Sequence, residues 1–86
     1  MFDAIKRVSV VEDSSGRLVA TVTGEDIMGN AVTGGYRTNR EGDGLWAWNS
    51  ARRDWQQTHG TCQFNARTPA MMRRKLRAML APKAPD

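Results

Sequence analysis

The sequence predicts an α+β fold: a small antiparallel sheet of about four to five strands, with one C-terminal amphipathic helix packed on one face. Three observations predict it. Short runs with β-branched residues alternate with period two through the first two-thirds of the chain. Glycine-bearing turns separate those runs at hairpin distances. Near the C-terminus the apolar period changes from two to that of a helix.

Residues 4–13 read AIKRVSVVED, with Val8 and Val10 on one face and Ser9 and Val11 on the other. Ser14-Ser15-Gly16 is turn chemistry. Residues 17–23, RLVATVT, form a second alternating run and so a hairpin partner. Met28-Gly29-Asn30 marks another turn, and residues 31–39, AVTGGYRTN, read as a third strand. The paired Gly34 and Gly35 suggest a bulge or bend within it. A polar loop, residues 40–44, precedes LWAWN, where Trp46 and Trp48 share one face and Leu45 and Ala47 the other. The fifth strand is expected over residues 55–65, interrupted at Gly60, with Cys62 facing inward beside Phe64 as a small buried hydrophobe. Thr68 is suited to cap a helix and Pro69 to open it. Met72, Leu76, Met79 and Leu80 then form one apolar stripe, and Pro82 stops the helix. Two tryptophans offer more area than Leu45 and Ala47, so the Trp46/Trp48 face is the expected seat of that stripe.

At 86 residues and 9.6 kDa the chain has room for one domain, expected over residues 1–81, with residues 82–86 a disordered tail. A hydrophobic content of 40% is too high for a disordered chain. No apolar run approaches the roughly 18 residues of a membrane span. The start, Met1-Phe2-Asp3-Ala4, lacks the basic residue and apolar run of a secretory signal, so a cytoplasmic chain is expected. The single cysteine, Cys62, excludes an internal disulfide and fits a reducing compartment.

Charge is unevenly placed. Residues 1–43 carry five cations and seven acids, while residues 44–86 carry eight cations and two acids. The net charge of +4 therefore arises in the second half, and arginine dominates it. Arginine forks onto phosphate or carboxylate, so a polyanionic partner is indicated, either nucleic acid or an acidic protein surface. The helix itself carries Arg73, Arg74, Lys75 and Arg77 with no acid between them. Trp55 follows Arg52 and Arg53, which places a stacking ring beside two cations. The same composition also suits a protein interface.

Other chemistry lacks its parts. One histidine and one cysteine cannot supply the three or four ligands of a zinc site. His59 and Cys62 have only Asp54 as a third group, and no nucleophile motif surrounds them. The glycines around residues 34–44 are not followed by the lysine and hydroxyl of a phosphate-binding loop. No catalytic residue, metal or cofactor is expected.

From Gly44 onward the chain runs through the Trp46-Ala47-Trp48 alternation, a basic turn, a strand to Phe64 and Thr68 opening a helix. In outline this order is similar to the N-terminal arm-binding domains of phage integrases and the related AP2-type DNA-binding modules. The resemblance implies a small sheet backed by one helix and laid in the major groove of DNA. It covers about half the chain and rests on element order without a diagnostic motif. The added front strands, acidic overall, depart from that pattern, and membership of the family is not drawn from it. In size and style the chain also resembles small phage-encoded inhibitors such as anti-CRISPR proteins, which bind host complexes without catalysis.

The expectation is a non-enzymatic binding module whose basic half contacts nucleic acid. Arg52, Arg53, Arg67, Arg73, Arg74 and Arg77 are the expected phosphate ligands, and Trp55 the stacking ring. The alternative is a phage- or plasmid-type inhibitor or adaptor that binds a host protein or nucleoprotein complex through the same patch or through the acidic hairpin. No membrane partner is expected. An open sheet also leaves an edge strand through which a homodimer can pair.

Overall fold

Five strands and one helix follow each other in a computed structural model that describes residues 2–81: β1 (Ala4–Glu12), β2 (Leu18–Glu25), β3 (Ala31–Arg37), β4 (Leu45–Asn49), β5 (Asp54–His59) and α1 (Pro69–Leu80). The strands form one antiparallel meander in the order β1-β2-β3-β4-β5, so β1 and β5 are its edges. The expected α+β class is the observed one. The tail expected over 82–86 lies outside the described residues.

Three of the four hairpin connections are built by one five-residue device. Asp13, Asp26 and Asn39 each open a turn with glycine three residues later, at Gly16, Gly29 and Gly42. In each, the side-chain Oδ1 of the first residue accepts from the backbone N–H groups two and four residues on. Asp13 takes Ser15 and Arg17 at 2.9 and 3.0 Å, Asp26 takes Met28 and Asn30 at 2.9 Å each, and Asn39 takes Glu41 and Asp43 at 3.0 and 2.8 Å. The glycine has φ between +79° and +88° and donates its N–H to the carbonyl of the opening residue. Only a residue without Cβ enters that region freely.

Val8, Val10, Leu18, Ala20 and Val22 point to one side of the sheet and are buried there. α1 packs on that side, against β1 and β2. Met72 and Leu76 are fully buried beneath it, with Met71 and Leu80 beside them. Met79, expected in the stripe, is 40% exposed. Thr68 caps the helix by accepting from the N–H of Met71 at 3.2 Å, and Pro69 opens it. Beyond the helix the core is closed by Phe2, Phe64 and Ala66. Residues 60–67 reach this position because Gly44 donates to the Phe64 carbonyl and Ala66 to the Gly42 carbonyl.

Four details differ from the sequence expectations. The core face of β4 is that of the fully buried Leu45, whereas Trp48 is 42% exposed on the opposite face. Register decides this. Ala47 pairs with Tyr36, which pairs with Ala20, so the Leu45/Ala47 side is continuous with the apolar face of β2. Second, Gly34 and Gly35 sit in regular register with β2. Tyr36 and Phe2 crowd Gly34, where an added Cβ would come within 3.1 Å of the Tyr36 ring, while Gly35 has Trp48 and Trp55 at ordinary contact distance. Bulges fall instead between Ile5 and Arg7 and between Leu45 and Trp46. Third, β5 ends at His59. Fourth, Cys62 is exposed, in a turn beyond that strand rather than on its inner face.

Candidate functional site: the open face of the sheet

Among the described residues, no element covers the face away from α1. From β1 to β5 it presents Arg7, Ser9 and Val11, then Val19, Thr21 and Thr23, then Thr33, Gly35 and Arg37, then Trp46 and Trp48, then Trp55 and Gln57. All three tryptophans of the protein therefore lie on one face, at its β4–β5 end.

Trp48 and Trp55 are cross-strand partners and meet edge to face, with ring centroids 5.4 Å apart. The guanidinium of Arg37 lies 4.4 Å from the centroid of Trp55. The Trp55 ring reaches across β4 toward Gly35, where an added Cβ would lie 3.8 Å from the ring, at ordinary van der Waals distance. A cation over an indole at this distance is attracted by the ring quadrupole, and the contact holds both side chains in one arrangement.

Beside this stack is a cleft of about 190 Å³ lined by Arg17, Arg37, Thr38, Asn39 and Trp46. Thr38 is buried and satisfied: its hydroxyl donates to the Asn39 carbonyl at 2.9 Å and lies 3.4 Å from the N–H of Leu18. Trp46 stands against Gly44, where an added Cβ would come within 2.9 Å of the ring.

Electrostatics separate this face from the rest of the molecule. The one carboxylate at its strand positions is Glu25, which lies 2.6 Å from the ammonium of Lys6. The acids of the N-terminal half are placed elsewhere. Asp13 and Asp26 are turned into their own hairpin turns. The carboxyl of Asp13 is held below its usual range chiefly by the Ser15 hydroxyl, and that of Asp26 chiefly by the N–H of Asn30. Asp43 lies 3.8 Å from Arg67. Burial pushes the Tyr36 phenol up on the core side.

The residues expected to form one patch lie in three places. Trp55 is in the stack on the open face. Arg52 and Arg53 are exposed in the β4–β5 turn beside it. There the Oδ1 of Asn49 accepts from Ala51 and Arg52, and Arg53 has φ of +52°, the one non-glycine residue with positive φ among those described. Arg73, Arg74 and Arg77 are exposed on α1, across the 20 Å thickness of the molecule. Lys75 is bound within the fold, donating to the carbonyl and side chain of Asn65. Arg67 faces Asp43 at a cleft it shares with Glu12 and Glu41.

Sequence reasoning missed Arg7, Arg17 and Arg37, because summing charge by halves hid them among acids. The recurring spacing of Asp or Asn with glycine three residues later was a usable signal. It marks Asp13 and Asp26 as turn residues, with carboxylates held at the hairpin turns.

The His59 Nδ1 lies 3.0 Å from the Thr58 hydroxyl. No group of three His, Cys, Asp or Glu side chains able to hold a metal forms among the described residues. No helix among them is long and apolar enough to cross a membrane. No family model matches the chain, and neither a curated protein nor a solved structure matches it.

Proposed function

We propose that the protein is a small non-enzymatic module that binds nucleic acid through the open face of its sheet. One observation carries this reading: three tryptophans and Arg37 share a face whose single strand carboxylate is paired. Aromatic rings give bases a stacking surface that tolerates any sequence, and arginines meet phosphates. Arg52 and Arg53 extend the surface at the hairpin turn. Arg73, Arg74 and Arg77 add to the long-range field from the far side without sharing the surface. A cytoplasmic location goes with this reading, as does pairing of two chains through the free edge of β1 or β5.

The test is fluorescence anisotropy of short labelled DNA and RNA over a salt series. Binding should weaken with salt along a steep log–log line. Trp55→Ala should weaken it by about tenfold, within the range for loss of one stacked base. Absence of binding by the wild type at low salt overturns the reading.

A second reading, an inhibitor or adaptor for a host protein, is favoured by one different observation. Ile27 and Met28 are 84% and 80% exposed at the β2–β3 turn. An apolar pair at a hairpin tip is suited to insertion into a partner's groove. Ile27→Ser with Met28→Ser should then abolish partner capture and leave nucleic-acid binding unchanged.

A further inference from the structure

We infer that the cleft between Arg17, Arg37, Asn39 and Trp46 is a subsite for one phosphate-bearing nucleotide unit, and that the preferred ligand is single-stranded rather than duplex nucleic acid. The inference rests on the sheet-face reading above and specifies its ligand.

Size comes first. About 190 Å³ is below the range of roughly 300–1,000 Å³ that holds drug-sized ligands. It suits one planar ring or one phosphate group at a time, with the rest of the ligand lying outside.

Polarity comes second. The side-chain groups left free in the cleft are donors. Both arginines are donors only, as is the Trp46 indole N–H. The Asn39 oxygen already accepts from Glu41 and Asp43, which leaves its amide N–H₂ for a ligand. The two ion pairs found among the described residues join Lys6 to Glu25 and Arg67 to Asp43, and neither uses Arg17 or Arg37. Asp13, the nearest acid to Arg17 in sequence, feels the Arg17 charge but forms no ion pair with it, and accepts three hydrogen bonds within its own turn. A concave site whose free side-chain groups are donors is complementary to an anion.

Continuity comes third. Arg37 lines the cleft and also lies over Trp55, so the cleft and the Trp48–Trp55 stack share this side chain. Trp46 is a fixed wall because its ring rests against Gly44. A strand with one phosphate between Arg17 and Arg37 can place neighbouring bases on Trp46 and Trp55. Duplex bases are stacked on each other and cannot enter this path without unpairing.

The experiment uses the whole chain with labelled oligothymidylate and a duplex of equal length. Single-strand binding should be the tighter. Arg17→Ala should weaken it severalfold and reduce the salt slope by about 0.7, the share of one single-strand phosphate. Trp55→Ala should weaken it by about tenfold and leave the slope unchanged. Arg17 closes its turn through its backbone N–H and carbonyl, so the circular dichroism of Arg17→Ala should match the wild type. If Arg17→Ala changes neither affinity nor slope while Trp55→Ala weakens binding, the cleft is not a subsite and the sheet-face reading survives. If neither variant weakens binding, both fail. Equal or tighter binding of the duplex overturns the single-strand preference.

Discussion

Arg37 and Trp55 lie two strands apart, on β3 and β5, yet the guanidinium of one sits 4.4 Å from the ring centroid of the other. The contact spans the intervening β4, with the edge of the indole reaching toward Gly35 on β3. It joins an arginine from the acidic half of the sequence to a tryptophan from the basic half.

Placement of the core on the Leu45 side has a direct consequence for stability. Leu45→Ala empties a fully buried site and should cost about 2–5 kcal/mol. Trp48→Ala removes a larger side chain from an exposed face and should cost less, although it loses the edge contact to Trp55. Urea denaturation of the two variants gives the order.

Arg53 occupies a backbone region in which the comparable turn positions carry glycine. Gly29→Ala should destabilise by about 1 kcal/mol, since it introduces a Cβ at φ of +80°. Arg53→Gly should act oppositely and stabilise by several tenths to about 1 kcal/mol. The same change removes a cation beside the tryptophan stack and should weaken nucleic-acid binding. Gain in stability with loss of binding would fit strain retained at a functional position. Thermal melts and anisotropy on the one variant read both.

The two acidic turns set the low-pH limb of stability. Asp13 and Asp26 have carboxyl groups held below the usual value of 3.8 in the folded chain. Their contribution is complete above 3.8 and is lost as pH falls through the folded values. Asn39 makes the same turn without a titrating group. Asp13→Asn with Asp26→Asn should therefore flatten the acid limb, and the difference from wild type should vanish below those values. Unfolding free energy measured from pH 7 downward tests this.

Charge reversal on α1 distinguishes the two basic surfaces. Arg73→Glu with Arg77→Glu changes net charge by four while leaving the open face intact. Single-strand affinity should fall less than with Trp55→Ala. The salt slope should stay near that of wild type, because the slope follows phosphates in contact. A complete loss of binding would return the site to the helix.

The class of fold was legible because alternation and turn residues are local signals. Thr68 and Pro69 marked the helix start for the same reason. Which face of β4 is buried was not legible. Alternation defines two faces, and only the pairing of Ala47 with Tyr36 and of Tyr36 with Ala20 assigns one to the core. Side-chain size argued for the tryptophans, but the apolar face of β2 was already set by Leu18, Ala20 and Val22. The candidate site was half legible. Trp55 and its flanking Arg52 and Arg53 are sequence neighbours. Arg17 and Arg37 meet Trp46 and Trp55 only through register.

The helix touches β1 and β2 and none of the other strands, while the tryptophans stand at the far end of the meander. The helix seat and the tryptophan stack thus lie at opposite ends of the sheet. The β4–β5 ribbon is tied in by Leu45 and can vary at Trp48, Arg52, Arg53 and Trp55 without disturbing the helix seat. On the proposed reading, such a layout lets the binding end change over a scaffold that stays put, as an exchangeable tip does on a common handle.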